Sequence, residues 1–215
     1  MAKSEKHIYG PVPSRRLGLS LGVDIMPHKV CTLDCVYCQI GRTTALTTER
    51  KVYQPVGPVL DELKQMVERG LRADFVTVGG SGEPTLNSQL GELIDGIRAI
   101  TEIPVAVLTN GTLLHIPEVR ADCGKADVVM PSLDAGDQET LERVNRPHAD
   151  ISIETLVDGL CTFRDEFSGP LWLEVFVVAP MNTECGQIER IAGLIKRIRP
   201  DKVHLNTAVR PTAEP

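Results

Sequence analysis

Six short apolar runs alternate along this chain with segments of helical period, and that alternation constrains the fold more than any other feature. The runs lie at 19–25, at F-V-T-V from Phe75, at P-V-A-V-L-T-N-G from Pro104, at D-V-V-M-P-S-L-D ending at Asp134, at L-W-L-E-V-F-V-V-A-P from Leu171, and at K-V-H-L-N-T from Lys202. Strands joined through helices return in the same direction, so all six are expected to run parallel. Aromatic residues make up only 4% of the chain, which leaves an aliphatic core of the Val/Ile/Leu kind that parallel strands buried on both faces require. The pattern predicts an α/β barrel or sheet of six β/α steps.

The helices are read from period and punctuation. One is expected over 57–69, with Pro58 in its first turn, Gly70 just past its end, and Val59, Leu60, Leu63, Met66 and Val67 on one face. A second starts at Asn87 as N-cap and carries Leu90, Leu93, Ile94, Ile97 and Ile100. Others are expected at 116–123, 137–144, 151–167 and 183–199. With no low-complexity stretch or linker, the 215 residues read as a single domain, with an N-terminal segment at 1–18 and an irregular Pro-rich tail at 210–215.

No run is long enough to cross a bilayer, and the start M-A-K-S-E-K-H lacks a signal peptide's apolar stretch, so a soluble cytoplasmic protein is expected. In that reducing setting the six cysteines are not expected to form disulfides. The net charge of -6 argues against a broad nucleic-acid surface, and Tyr9, Tyr53 and Trp172 are too dispersed to form a base-stacking platform. Locally, Arg15 with Arg16, and Arg42 with Arg50 and Lys51, flank the cysteines and are candidates to hold an anionic substrate.

Cys31, Cys35 and Cys38, in C-T-L-D-C-V-Y-C, place three thiols within eight residues. Such a triad suits either an iron-sulfur cube or zinc, for which His28 supplies a fourth ligand in a Cys3His site or interaction domain. In parallel β/α folds ligands bind at the carboxyl ends of strands, and polar residues gather there. After the second strand comes G-G-S-G-E-P, where Gly79, Gly80 and Gly82 permit close backbone approach and Glu83 offers a carboxylate suited to an ammonium group. Asn110 ends the third strand, Ser132 and Asp134 the fourth, Asn182 follows the fifth, and Asn206 ends the sixth. The Gly-Lys-Ser/Thr ending of a Walker phosphate loop is absent.

These residues together resemble the radical S-adenosylmethionine (radical SAM) superfamily, whose C-x3-C-x2-C signature carries an aromatic residue just before the third cysteine, here Tyr37. Ser81 to Pro84, S-G-E-P, is similar to the family's Gly-Gly-Glu-Pro motif, with Ser81 in place of the first glycine. The resemblance implies a partial (β/α)6 barrel with parallel strands and outer helices. It implies a [4Fe-4S] cluster on Cys31, Cys35 and Cys38, with the fourth iron taken by the amino and carboxylate groups of SAM. It further implies Tyr37 near the adenine, Gly80, Ser81, Gly82 and Glu83 at the SAM amino group, and Asn110 at the same strand ends. Ser132, Asp134 and Asn182 would contact ribose and carboxylate, and Asn206 the adenine side. The implied enzyme reductively cleaves SAM to a 5'-deoxyadenosyl radical that abstracts hydrogen from a small-molecule or macromolecular substrate. Its electron comes from a donor such as flavodoxin or ferredoxin.

P-S-R-R-L-G-L-S-L-G-V-D and C-V-Y-C-Q-I-G are similar to a group related to wyosine-type tRNA-modifying enzymes. No cysteine precedes Cys31, however, and the acidic charge also sets the chain apart from an RNA-modifying protein. Cys185, just after the fifth strand, is a candidate hydrogen-atom donor or second-metal ligand. Cys123 and Cys161 read as small apolar residues of helices.

Overall fold

The β-branched and aliphatic runs form the six strands where the pattern places them. The computed structural model describes residues 7–214. β2 (Gly18–Val23), β5 (Phe75–Val78), β6 (Val105–Leu108) and β7 (Val128–Met130) pair side by side in parallel. Parallel bridges Val129↔Leu171 and Ser132↔Glu174 then lead to β8 (Trp172–Phe176), which pairs in parallel with β9 (Lys202–Asn206). The row curls: Arg15, beside the first of these strands, donates to Asn206 on the last at 2.8 Å. This is an α/β barrel left open, with six parallel strands and helices outside.

α1 (Val56–Glu68), α2 (Leu90–Ile100) and α3 (Pro117–Cys123) pack in series on the outer face. The crossover from β7 to β8 carries two helices, α4 (Gln138–Val144) and α5 (Ile153–Glu166), and α6 (Cys185–Ile198) links β8 to β9. Asp137 caps α4 by accepting from Thr140 N at 2.8 Å, and Ser152 caps α5 by accepting from Thr155 N at 3.1 Å. The alternation of the strands assigns their faces. Val105 and Val107 are buried in the main core that also holds Leu90, Leu93, Ile94 and Ile97 of α2, while Ala106, Val128 and Met130 form a small inner cluster with Leu17. Each large aliphatic side chain so buried contributes about 1.5–3 kcal/mol. The inner cluster is small, and Met130 and Leu108 reach the wall of a cavity at the carboxyl ends of the strands.

Several boundaries differ from the sequence expectation. The segment 1–18 is not merely a lead-in: β1 (Ile8–Ser14) pairs antiparallel with β2, with an irregular register between Tyr9 and Val12. Its residues 1–6 lie outside the described residues, as does Pro215 of the tail. Asn87 does not cap α2. It ends a 3-10 turn at Pro84–Leu86, and Gln89 directly precedes the helix; the Asn87 amide donates to Ile25 O at 3.0 Å and Gln54 O at 2.9 Å, and its Oδ1 accepts from Gln89 N at 3.0 Å rather than from the first turn of α2. The tail is irregular but tethered, since Ala213 N donates to Cys38 O at 2.9 Å and Glu214 N to Val36 O at 3.1 Å.

Candidate metal and cofactor site

The cysteine loop leaves β2 and is pinned from several sides. β3 (Val30–Cys31) pairs with β4 (Ala45–Leu46), which closes the loop on itself. Lys29 N donates to Ser81 O at 2.6 Å and Glu83 N to Val30 O at 3.1 Å, so the loop lies along the G-G-S-G-E-P strand end. From the other side Asp34 N and Val36 N reach the carbonyls of Asn145 and Val144, at the end of α4, each at 3.0 Å. Gly82 is required by this packing, because a Cβ there would collide with the Val30 carbonyl oxygen, a backbone atom that cannot swing away. Gly82→Ala is therefore expected to destabilise the fold by about 1–3 kcal/mol, the range of overpacking, and to weaken metal retention. Denaturant unfolding and iron analysis of the variant check both.

Each of the three sulfurs receives one side-chain N–H. Asn110 Nδ2 reaches Cys31 Sγ at 3.6 Å, Asn145 Nδ2 reaches Cys35 Sγ at 3.4 Å, and Lys29 Nζ reaches Cys38 Sγ at 3.0 Å. Burial pushes the Cys31 thiol up to about 11, with the Glu83 charge adding to it. Burial, with Asp134 next, raises Cys35 further. A bound cation, whose own charge reverses the local preference, would favour loss of these protons. Among the described residues no three His, Cys, Asp or Glu side chains converge as they would on one metal ion. His28 is exposed. The donor set, three cysteine thiols, is one that an iron-sulfur cluster takes.

Cys31 and Cys35 line a cavity of about 290 Å³ together with Gly80, Gly82, Glu83, Asn110 and Ser132. That is near the lower edge of small-molecule sites, roughly 300–1,000 Å³. Glu83 is 2% exposed. Its Oε1 accepts from Thr85 N at 3.1 Å and from the hydroxyls of Thr85 and Thr109, each at 2.6 Å; its Oε2 accepts from Asn110 N at 2.8 Å. The carboxylate thus ties two strand ends together, and burial raises its pKa above the ordinary value despite those donors.

The other expected residues fall elsewhere. Tyr37 stacks on Phe176 with ring centroids 4.0 Å apart, and its hydroxyl donates to Asp134. It lines a separate cavity of about 450 Å³ with Val178 and Met181. Asp134 is buried, accepting from Phe176 N at 2.7 Å and Asn145 Nδ2 at 2.8 Å. Asn182 is buried too, donating to the carbonyls of Asp134 at 2.9 Å and Phe176 at 2.8 Å and accepting from Val178 N at 2.7 Å. Neither lines the cysteine cavity; both fasten the end of β7 to that of β8. Ser81 is fixed by donating its N–H to Asp24 at 2.8 Å. Asn206 and Arg15 line a third cavity, and Arg16 lines both that one and the cysteine cavity. Cys185 is exposed at the start of α6 and lines none of the three cavities.

Lys29 and Asn145 are the functional candidates that sequence reasoning missed. Asn145 is 110 residues from the sulfur it reaches, and nothing in its local sequence signals that contact. Lys29 lies two positions before Cys31 but is 3% exposed, a burial unusual for lysine and invisible without the fold.

A protein-family model described as the Radical SAM superfamily matches residues 25–170. The chain is 42% identical, over 97% of its length, to a protein named GTPase Obg from Brachyspira hyodysenteriae, and spans 31% of that protein. It is 40% identical, over 95% of its length, to a UPF0026 protein of Synechocystis sp., and spans 76% of it. The fold is similar to the structure of TYW1 with a lysine-pyruvate adduct bound, at a TM-score of 0.66 and 18% identity, covering 90% of this chain and 67% of that one.

Proposed function

The chain belongs to the radical SAM superfamily, and from that premise we propose that it is an enzyme holding a [4Fe-4S] cluster on Cys31, Cys35 and Cys38 and binding SAM in the adjoining cavity. The observation that carries this reading is the set of three sulfurs, each met by one N–H donor, two of them on the wall of a cavity whose other side is the G-G-S-G-E-P strand end. When bound, the cluster and SAM together supply a one-electron cleavage of the sulfonium, yielding a carbon radical able to take hydrogen from a substrate.

The protein's own residues bind, orient and shield. Lys29, Asn110 and Asn145 offset the negative charge that the thiolates carry. Gly80 and Gly82 bring backbone groups to the cavity with no side chain between. Glu83 Oε1 is filled by three donors, but Oε2 has one and retains room for an ammonium group, the role we assign it toward SAM. Leu33, Ile40, Leu108 and Met130 give part of the wall an apolar surface that limits water there, while Arg16, Thr109, Ser132 and Glu174 keep the remainder polar. In this reading Tyr37, Asp134 and Asn182 act one step back, by fixing the cysteine loop against the ends of β7 and β8.

Anaerobic purification tests the cofactor assignment. The expected protein is brown, with about four irons and four sulfides per chain. A colourless protein with one zinc per chain after the same treatment overturns it.

A further inference from the structure

The third cavity, of about 390 Å³, adjoins the cysteine cavity through Arg16, which lines both. We propose that it binds a phosphate or carboxylate group of a small molecule, and that this group anchors the substrate beside the cysteine site; the second half of the statement rests on the radical SAM reading.

The wall carries three arginines, Arg15, Arg16 and Arg210, and no Asp or Glu. In a chain of net charge -6 that is a strong local excess of positive charge. Arg16 is paired with Glu174, so its charge is met. Arg15 instead donates to the neutral amide oxygen of Asn206 at 2.8 Å, which holds its guanidinium at the wall without cancelling it. Burial and then the neighbouring Arg15 charge lower the Arg16 pKa, in keeping with two guanidinium groups set near one another on this wall. His204 adds a buried Nε2 that has no hydrogen-bond partner among the described residues. Guanidinium forks recognise phosphate and carboxylate oxygens in pairs, which selects an oxyanion over a halide.

A small molecule is favoured over an RNA backbone because the arginines surround one cavity rather than forming a stripe, and His204 is the one aromatic ring on its wall among the described residues.

The test is calorimetric titration of the anaerobic, iron-loaded protein with inorganic pyrophosphate, with malonate and with a short single-stranded RNA, repeated on Arg15→Met and Arg210→Met. Both arginines are exposed, so the variants keep the core intact. Saturable binding of pyrophosphate or malonate, weakened about tenfold in each variant, is the expected result, and the tighter of the two anions identifies the group. No saturable binding of either, or variants that bind as the parent does, overturns the proposal. RNA that binds while both small anions fail overturns it in favour of a nucleic-acid substrate. Iron content and SAM cleavage are read separately. A protein that cleaves SAM but binds no anion loses only this inference, whereas one that binds the anion but takes no iron loses the radical SAM reading.

Discussion

Cys35→Ala is expected to abolish both iron retention and SAM cleavage while leaving the apoprotein folded. The side chain is small and its sulfur sits in a loop held by backbone bonds to Asn145 and Val144, none of which needs the thiol. The cluster, by contrast, loses one of three anchors. Outer-shell changes at metal sites typically cost roughly 10–100-fold in metal affinity, and loss of a ligand exceeds that. Asn145→Ala, which removes only the N–H donor to Cys35 Sγ, is expected to fall inside that range. Iron analysis, visible absorption and circular dichroism of parent and variants separate the two effects. Full iron content in Cys35→Ala would refute the ligand assignment.

The second large effect is at Glu83. Removal of its carboxylate in Glu83→Ala leaves the N–H groups of Thr85 and Asn110 and the hydroxyls of Thr85 and Thr109 without their acceptor. Each buried unsatisfied group costs about 1–3 kcal/mol. Because water entering the gap restores part of this, the expected net loss is about 3–5 kcal/mol, a large share of a domain's usual stability of about 5–15 kcal/mol. Denaturant unfolding measures it directly.

The pH dependence follows from the direction of the shift. Burial raises Glu83 above its ordinary 4.5 and Asp134 above its ordinary 3.8, so the folded protein binds these protons more tightly than the unfolded chain. Their contribution to stability is fully present below the ordinary values and is lost as pH rises through the raised ones. Glu83→Gln has no proton to lose there. Its stability curve should lack the Glu83 part of that descent, and an unchanged descent would contradict the assignment.

Much of the fold was legible because its signals are local. Val76, Val78, Val105 and Val107 are buried on the helix side of their strands, and that burial is written into their residue types. The start of α4 at Asp137 is likewise a side chain capping its own neighbours. β1 was missed because I-Y-G-P-V-P-S reads as a broken strand; at the edge of a sheet the missing proline N–H groups cost nothing in pairing. At the site, Cys31, Cys35, Gly80, Gly82, Glu83, Asn110 and Ser132 do share one cavity, because strand ends in a parallel architecture converge. Asp134 and Asn182 sit at the expected ends yet are buried, since an end marks where a residue sits and not which way its side chain turns. Lys29 and Asn145 reach their sulfurs through tertiary packing, which no spacing rule encodes.

The most direct measurement of the central claim is chromatographic detection of 5'-deoxyadenosine after anaerobic incubation of the iron-loaded protein with SAM, with and without a low-potential reductant. The account predicts 5'-deoxyadenosine that depends on reductant and disappears in Cys35→Ala. Iron-loaded protein that leaves SAM intact under reduction, or that yields the same product from Cys35→Ala, would contradict it.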